Sequence, residues 1–88
     1  MKRVHVLISG DVIGVFFRRF VRVNAEKLGV NGWVRNTDDK VEAVLEGSES
    51  NVDKLIELCR KGAIGSKVEN VEVKEEKYKG EFSSFEQR

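Results

Sequence analysis

The chain has one histidine, His5, one cysteine, Cys59, and no proline among its 88 residues. A lone cysteine cannot close an intramolecular disulfide, and a single Cys with a single His is too few for a zinc site of those ligands. The same scarcity leaves little for a histidine-based catalytic dyad. Charge of one sign is also missing: 16 Lys and Arg stand against 15 Asp and Glu, a formal net charge of +1. That balance gives no general attraction for nucleic acid or an anionic membrane, so any anion site must be built locally. No run approaches the ~20 apolar residues of a membrane-spanning helix. The opening Met1-Lys2-Arg3-Val4-His5-Val6 alternates at once, without the apolar stretch of a secretory signal. These absences lead us to expect a cytoplasmic protein without a Cys/His zinc site that binds neither nucleic acid nor membrane.

What is present has a globular composition, 40% hydrophobic and 35% charged, with enough apolar residues to fold. A chain this short makes one domain, expected to span residues 1–88. Residues 3–9 alternate as a strand with Val4, Val6 and Ile8 on one face. From Phe17 to Leu28 the period becomes helical, with Phe17, Phe20, Val21, Ala25 and Leu28 on one side and Gly29 as the stop. Residues 31–36 and 40–46 read as two strands joined through Thr37-Asp38-Asp39. Ser50 followed by Asp53 resembles the capped start of a second helix, whose stripe is Val52, Leu55, Ile56 and Cys59 and whose end is Gly62. A long strand is expected near 67–77 and a short one near 81–86. The order β-α-β-β-α-β with an extra terminal strand is that of an α+β, ferredoxin-like split βαβ fold, an α/β sandwich with both helices on one face of an antiparallel sheet.

The first strand-to-helix junction carries the chemistry: Gly10-x-x-x-Gly14-Val15-Phe16-Phe17-Arg18. Its glycines permit a backbone nest of N–H groups, and the helix that follows aims its unpaired amides and positive dipole end at the same place. Arg18, just inside that helix, offers a planar fork for two phosphate oxygens. On spacing alone, a phosphate cradle and an ordinary glycine-rich turn beside a surface arginine fit equally well.

Gly-x-Val-x-Gly-Val-x-Phe-Arg at positions 10–18, with Gly-Trp-Val-Arg-Asn-Thr at 32–37, resembles the paired signature of the acylphosphatase family. Ala25, Leu28-Gly29, Val41-Glu42-Ala43, Glu46-Gly47 and Gly62 extend the resemblance over nearly the whole chain. It implies hydrolysis of acyl phosphates to a carboxylate and inorganic phosphate, the latter both product and inhibitor. It further implies that Arg18 and the backbone amides of Ile13, Gly14, Val15, Phe16 and Phe17 hold the phosphoryl group. Asn36 would orient the attacking water, Thr37 would support Asn36 or the turn after it, and no metal or protein general base would be needed. A small permissive enzyme of this kind is expected to be a monomer. The chain departs from the family at Ile13, where glutamine is usual, and at Asp11, where a basic or neutral polar residue is common. Retention of those two positions' backbone but not their side chains makes a phosphate-binding module without turnover the alternative reading. An RNA-binding module of the same fold would want aromatic residues in a recognisable sheet motif, and a metal chaperone a Cys-x-x-Cys loop; the chain has neither.

Overall fold

The computed structural model describes residues 1–88. Strand β1 (Lys2–Asp11) is followed by helix α1 (Phe17–Leu28), strands β2 (Asn31–Thr37) and β3 (Lys40–Gly47), helix α2 (Glu49–Lys61), strand β4 (Lys67–Glu76) and the short strand β5 (Phe85–Gln87). The sheet runs β4-β1-β3-β2-β5. Strands β1 and β2 flank β3, and both pair with it antiparallel, so they are parallel to each other with α1 as the crossover. This is the ferredoxin-like α+β fold expected from the order of elements.

Period-two alternation makes one face of the sheet apolar. Val4, Val6 and Ile8 of β1, Val34 of β2, and Val41, Ala43 and Leu45 of β3 are all buried. Against them lie Phe17, Val21 and Ala25 of α1 and Val52, Leu55, Ile56 and Cys59 of α2. Phe20 and Leu28 pack only partly against this core. Cys59 is a buried thiol, and burial pushes its pKa up to about 12, so it has almost no thiolate character.

The opposite face carries polar pairs. His5 on β1 lies 2.6 Å from Glu42 on β3, which also takes Nε of Arg35 at 2.7 Å. Trp33 is half-buried here, with the guanidinium groups of Arg35 and Arg88 at 5.2 and 5.1 Å from its ring. Arg3 donates to Glu76 at 2.9 Å, to Glu46 at 3.2 Å and to Glu81 at 2.8 Å, and stands 5.3 Å from the Phe82 ring. Glu46 in turn accepts the amides of Lys79 and Glu81. The segment between β4 and β5 is thereby fastened to the sheet mainly by side chains, with a main-chain bond from the Gly32 amide to the Ser84 carbonyl only at its end.

Three expectations are corrected in detail. Helix α2 is capped by Ser48, not Ser50: Ser48 is extended (ψ 146) and its Oγ accepts the Asn51 amide at 3.4 Å, which places Ser50 in the first turn. The last strand covers only Phe85–Gln87, because the preceding residues are committed to Glu46 and Arg3. That strand pairs parallel with β2, so the sheet is mixed rather than wholly antiparallel.

Candidate active site

Strand β1 ends in an irregularity. The β1–β4 register shifts between Ser9 and Gly10, and Gly10 takes φ 126. A Cβ there would lie 2.1 Å from the Lys67 carbonyl oxygen, so only glycine lets the two backbones approach this closely. The chain then turns away from the sheet through Gly14 (φ 75) and enters α1 at Phe16 (φ 57, ψ 27). A left-handed conformation costs an aromatic residue on the order of 1 kcal/mol. Phe16 adopts it at the cap position, where Ser, Thr, Asn or Asp would ordinarily stand.

The consequence is a row of free donors. Val12 donates to Gly10 and Phe20 to Phe16, but the amides of residues 13 to 19 donate to no acceptor in the protein. Helix α1 has no side-chain cap and no acid in its first turn, whereas α2 has Ser48 and Glu49 in those roles. Unpaired amides and the positive dipole end of an uncapped helix meet at this loop, which is the physical setting of an anion site.

Strand β2 supplies the facing wall. Asn36 is two residues beyond the buried Val34, so it points to the same side of the sheet, towards the start of α1. Strand β5 brings Gln87 opposite Val34, and the Arg88 amide donates to the Val34 carbonyl at 2.8 Å. Nη1 of Arg18 donates to the main-chain oxygen of Arg88 at 2.6 Å, which ties the guanidinium to the sheet edge. The result is a hollow of about 190 Å³ lined by Val12, Gly14, Phe16, Phe17, Arg18, Arg19, Asn36 and Gln87.

Of the residues singled out from sequence, Arg18, Asn36, Gly14, Phe16 and Phe17 come together in this hollow. Ile13 and Val15 do not line it: Ile13 is exposed, and Val15 packs partly against the core. Thr37 is on the other face of β2, beside His5, Lys40 and Glu42, because consecutive strand residues point in opposite directions. Its side chain is thus on the far side of the sheet from that of Asn36. Asp11 sits across from Lys67 at the end of β1 and is not part of the lining. Val12, Arg19 and Gln87 were not assigned to the site from sequence. Gln87 arrives only through the parallel pairing of β5, which no local pattern announces.

The lining holds two guanidinium groups, an amide pair from Asn36 and Gln87, and no carboxylate, imidazole or thiol. No cluster of three His, Cys, Asp or Glu side chains suited to a metal ion occurs in the chain. Such a site can gather negative oxygens and orient a small polar molecule; it cannot supply a nucleophile or a general base of its own.

The family model for acylphosphatase matches residues 4–87. An acylphosphatase of Syntrophobacter fumaroxidans is 51% identical over 86 residues, covering 97% of this chain and 89% of that relative. The crystal structure of acylphosphatase from Bacillus subtilis superposes with a TM-score of 0.96 at 34% identity, covering 100% of this chain and 99% of that one. An acylphosphatase structure from Coxiella burnetii gives 0.94 at 38% identity, over 99% and 92% of the two chains. With a family match over almost its whole length and relatives of about half-identical sequence, the chain belongs to the acylphosphatase family, enzymes that hydrolyse acyl phosphates.

Proposed function

We propose that this enzyme performs the hydrolysis without metal, using Arg18 and the loop amides to hold the phosphoryl group and Asn36 to place the water. The observation that supports this reading is the meeting of Arg18, Asn36, Gly14, Phe16 and Phe17 in one hollow, at a helix start where the amides of residues 13 to 19 have no acceptor in the protein. Three equatorial oxygens of a transferring phosphoryl group need charge stabilisation, and a guanidinium with several preorganised N–H donors supplies it. Asn36 offers N–H donors and an acceptor oxygen on one group, which suffices to fix a water in one orientation. The water oxygen attacks phosphorus as the phosphorus–oxygen bond to the acyl group breaks, and that electron pair leaves as a carboxylate. A carboxylate is a good leaving group, so no acid is required behind it. The water's proton goes to a phosphate oxygen of the substrate itself, consistent with a lining that has no base.

The parts divide by role. Arg18 and the amides bind substrate and product alike, so inorganic phosphate should compete. Asn36 acts only on the water, so it governs turnover more than affinity. We further propose a cytoplasmic monomer; no helix is long and apolar enough to cross a membrane.

The test is hydrolysis of acetyl phosphate in EDTA with inorganic phosphate as competitor. Metal-independent turnover inhibited by phosphate supports the reading. A folded sample that binds phosphate but turns nothing over would reduce the site to an anion-binding module. Turnover that EDTA abolishes would replace the metal-free mechanism.

A further inference from the structure

Beside the phosphate hollow lies a second, apolar one of about 450 Å³ that shares Phe16 and Arg19 with it. Its floor runs along α1 through Phe20 and Val23, and its far wall is the segment after α2, where Ile64 is 102% exposed. Phe16 stands at the junction, 81% exposed and in a left-handed conformation, outside the buried core. Large apolar side chains held in water beside a polar site, one of them on a strained backbone, are better explained by a ligand than by the fold.

Resting on the function proposed above, we infer that this apolar hollow receives the organic part of the acyl phosphate and favours substrates with an uncharged, apolar acyl group. Three features point to that occupant. The first is continuity: a phosphoryl group in the cradle reaches the apolar hollow across Phe16 and Arg19 without leaving the protein surface. The second is direction. Asn36 and Gln87 of β2 and β5 line the cradle and not the apolar hollow, while Ile64 lines the apolar hollow and not the cradle. In-line displacement puts water and leaving group on opposite sides of phosphorus, so a water held by Asn36 sends the carboxylate away from Asn36, and the apolar hollow is the neighbouring one that Asn36 does not line. The third is size and chemistry. From Phe16 to Val23 the helix advances about 10 Å, enough for a phenyl ring or a short alkyl chain. The polar members add little to recognise a second charge beyond Arg19, since the Asn24 side chain is already bonded to the Phe20 carbonyl at 2.8 Å.

The test compares benzoyl phosphate with acetyl phosphate in the wild type and in Ile64→Ser and Val23→Gln, two surface changes outside the phosphate cradle. The expected result is a KM for benzoyl phosphate raised about three- to tenfold, with kcat within about twofold, because apolar burial contributes to binding roughly in proportion to area. The KM for acetyl phosphate and inhibition by phosphate should not move. A benzoyl phosphate KM unchanged in both variants, or equal shifts for both substrates, overturns the subsite and leaves the catalytic reading standing. Failure of the wild type to hydrolyse either compound overturns the catalytic reading and the subsite with it. A wild-type dimer in sedimentation that Ile64→Ser dissociates, with KM values unmoved, would assign the face to a second copy instead.

Discussion

The guanidinium of Arg18 is anchored by the main-chain oxygen of Arg88, 2.6 Å from Nη1, and Arg88 is itself docked by its amide on the Val34 carbonyl. A long side chain that is fixed before substrate arrives loses less rotamer entropy on binding. The anchor uses one of five N–H donors and leaves the rest of the fork for phosphate. It also ties the cradle to β5, an element far from α1 in sequence.

This relationship separates the main chain of Arg88 from its side chain. Arg88→Pro removes the amide that docks on Val34 and should weaken phosphate inhibition and kcat/KM by about three- to tenfold. Arg88→Ala keeps the main-chain contacts and should leave both nearly unchanged, losing only the exposed stacking on Trp33 and the exposed pair with Glu86. Inhibition constants for phosphate in the two variants decide it. Tighter phosphate binding in Arg88→Pro would mean that the Arg88 oxygen competes for Arg18 rather than positioning it.

Arg18 and Asn36 share one hollow but should fail differently. Arg18→Gln removes the charge that gathers the phosphoryl oxygens, so phosphate binding and turnover should fall together by at least about a hundredfold. Asn36→Ala should retain phosphate inhibition within about threefold while kcat drops by a similarly large factor. Both residues are at least partly exposed, so thermal melting should change little in either variant. Unaltered turnover in Asn36→Ala would remove the water-positioning role.

The fold was largely legible in the sequence because its apolar periods are clean. Val4, Val6 and Ile8, and Val52, Leu55, Ile56 and Cys59, fall where period two and period 3.6 put them, and all are buried. The site was legible where it is local: Gly14, Phe16, Phe17 and Arg18 belong to one turn and one helix start. Asn36 was legible through its motif, and its parity with the buried Val34 puts it on the side of α1. Gln87 and the Arg88 anchor were not legible, since a three-residue strand pairing parallel to β2 leaves no periodic trace. Thr37 was expected to support Asn36 or the turn after it; strand alternation puts its side chain on the face opposite that of Asn36, beside Asp38 and Lys40 of the turn. Ser48 and Ser50 are equally good caps by residue type, and only the backbone at Ser48 distinguishes them.

Cys59 offers a probe of the core. Its thiol is buried among helix and sheet residues, and desolvation pushes its pKa up to about 12. At pH 8 it should react with a thiol reagent at least about a hundredfold more slowly in the native protein than in denaturant. Rapid native labelling would show that α2 opens readily from the sheet.

Acid should unfold the protein through its carboxylate network. Glu46 is 2% exposed. Burial alone would raise its pKa, but the Lys79 and Glu81 amides and Arg3 outweigh that and hold it below 4.5. Hydrogen bonds from His5 to Glu42 and from Arg3 to Glu76 depress those two groups as well. A carboxylate with a depressed native pKa stabilises the fold above its unfolded value, and that contribution is lost as pH falls through the native one. Below pH ~5 the unfolded chain binds more protons than the native protein, so stability should drop steadily towards pH ~2. Glu46→Gln should lower stability at pH 7 by about 1–3 kcal/mol, because Arg3 loses its most buried ionic partner and the Lys79 and Glu81 amides both lose a charged acceptor. It should also flatten the acid limb, since the variant has one fewer carboxylate to protonate. Urea melts at pH 7 and pH 3.5 measure both effects. A constant gap between wild type and variant at the two pH values would show that Glu46 stabilises by shape and hydrogen bonding alone, not through its charge.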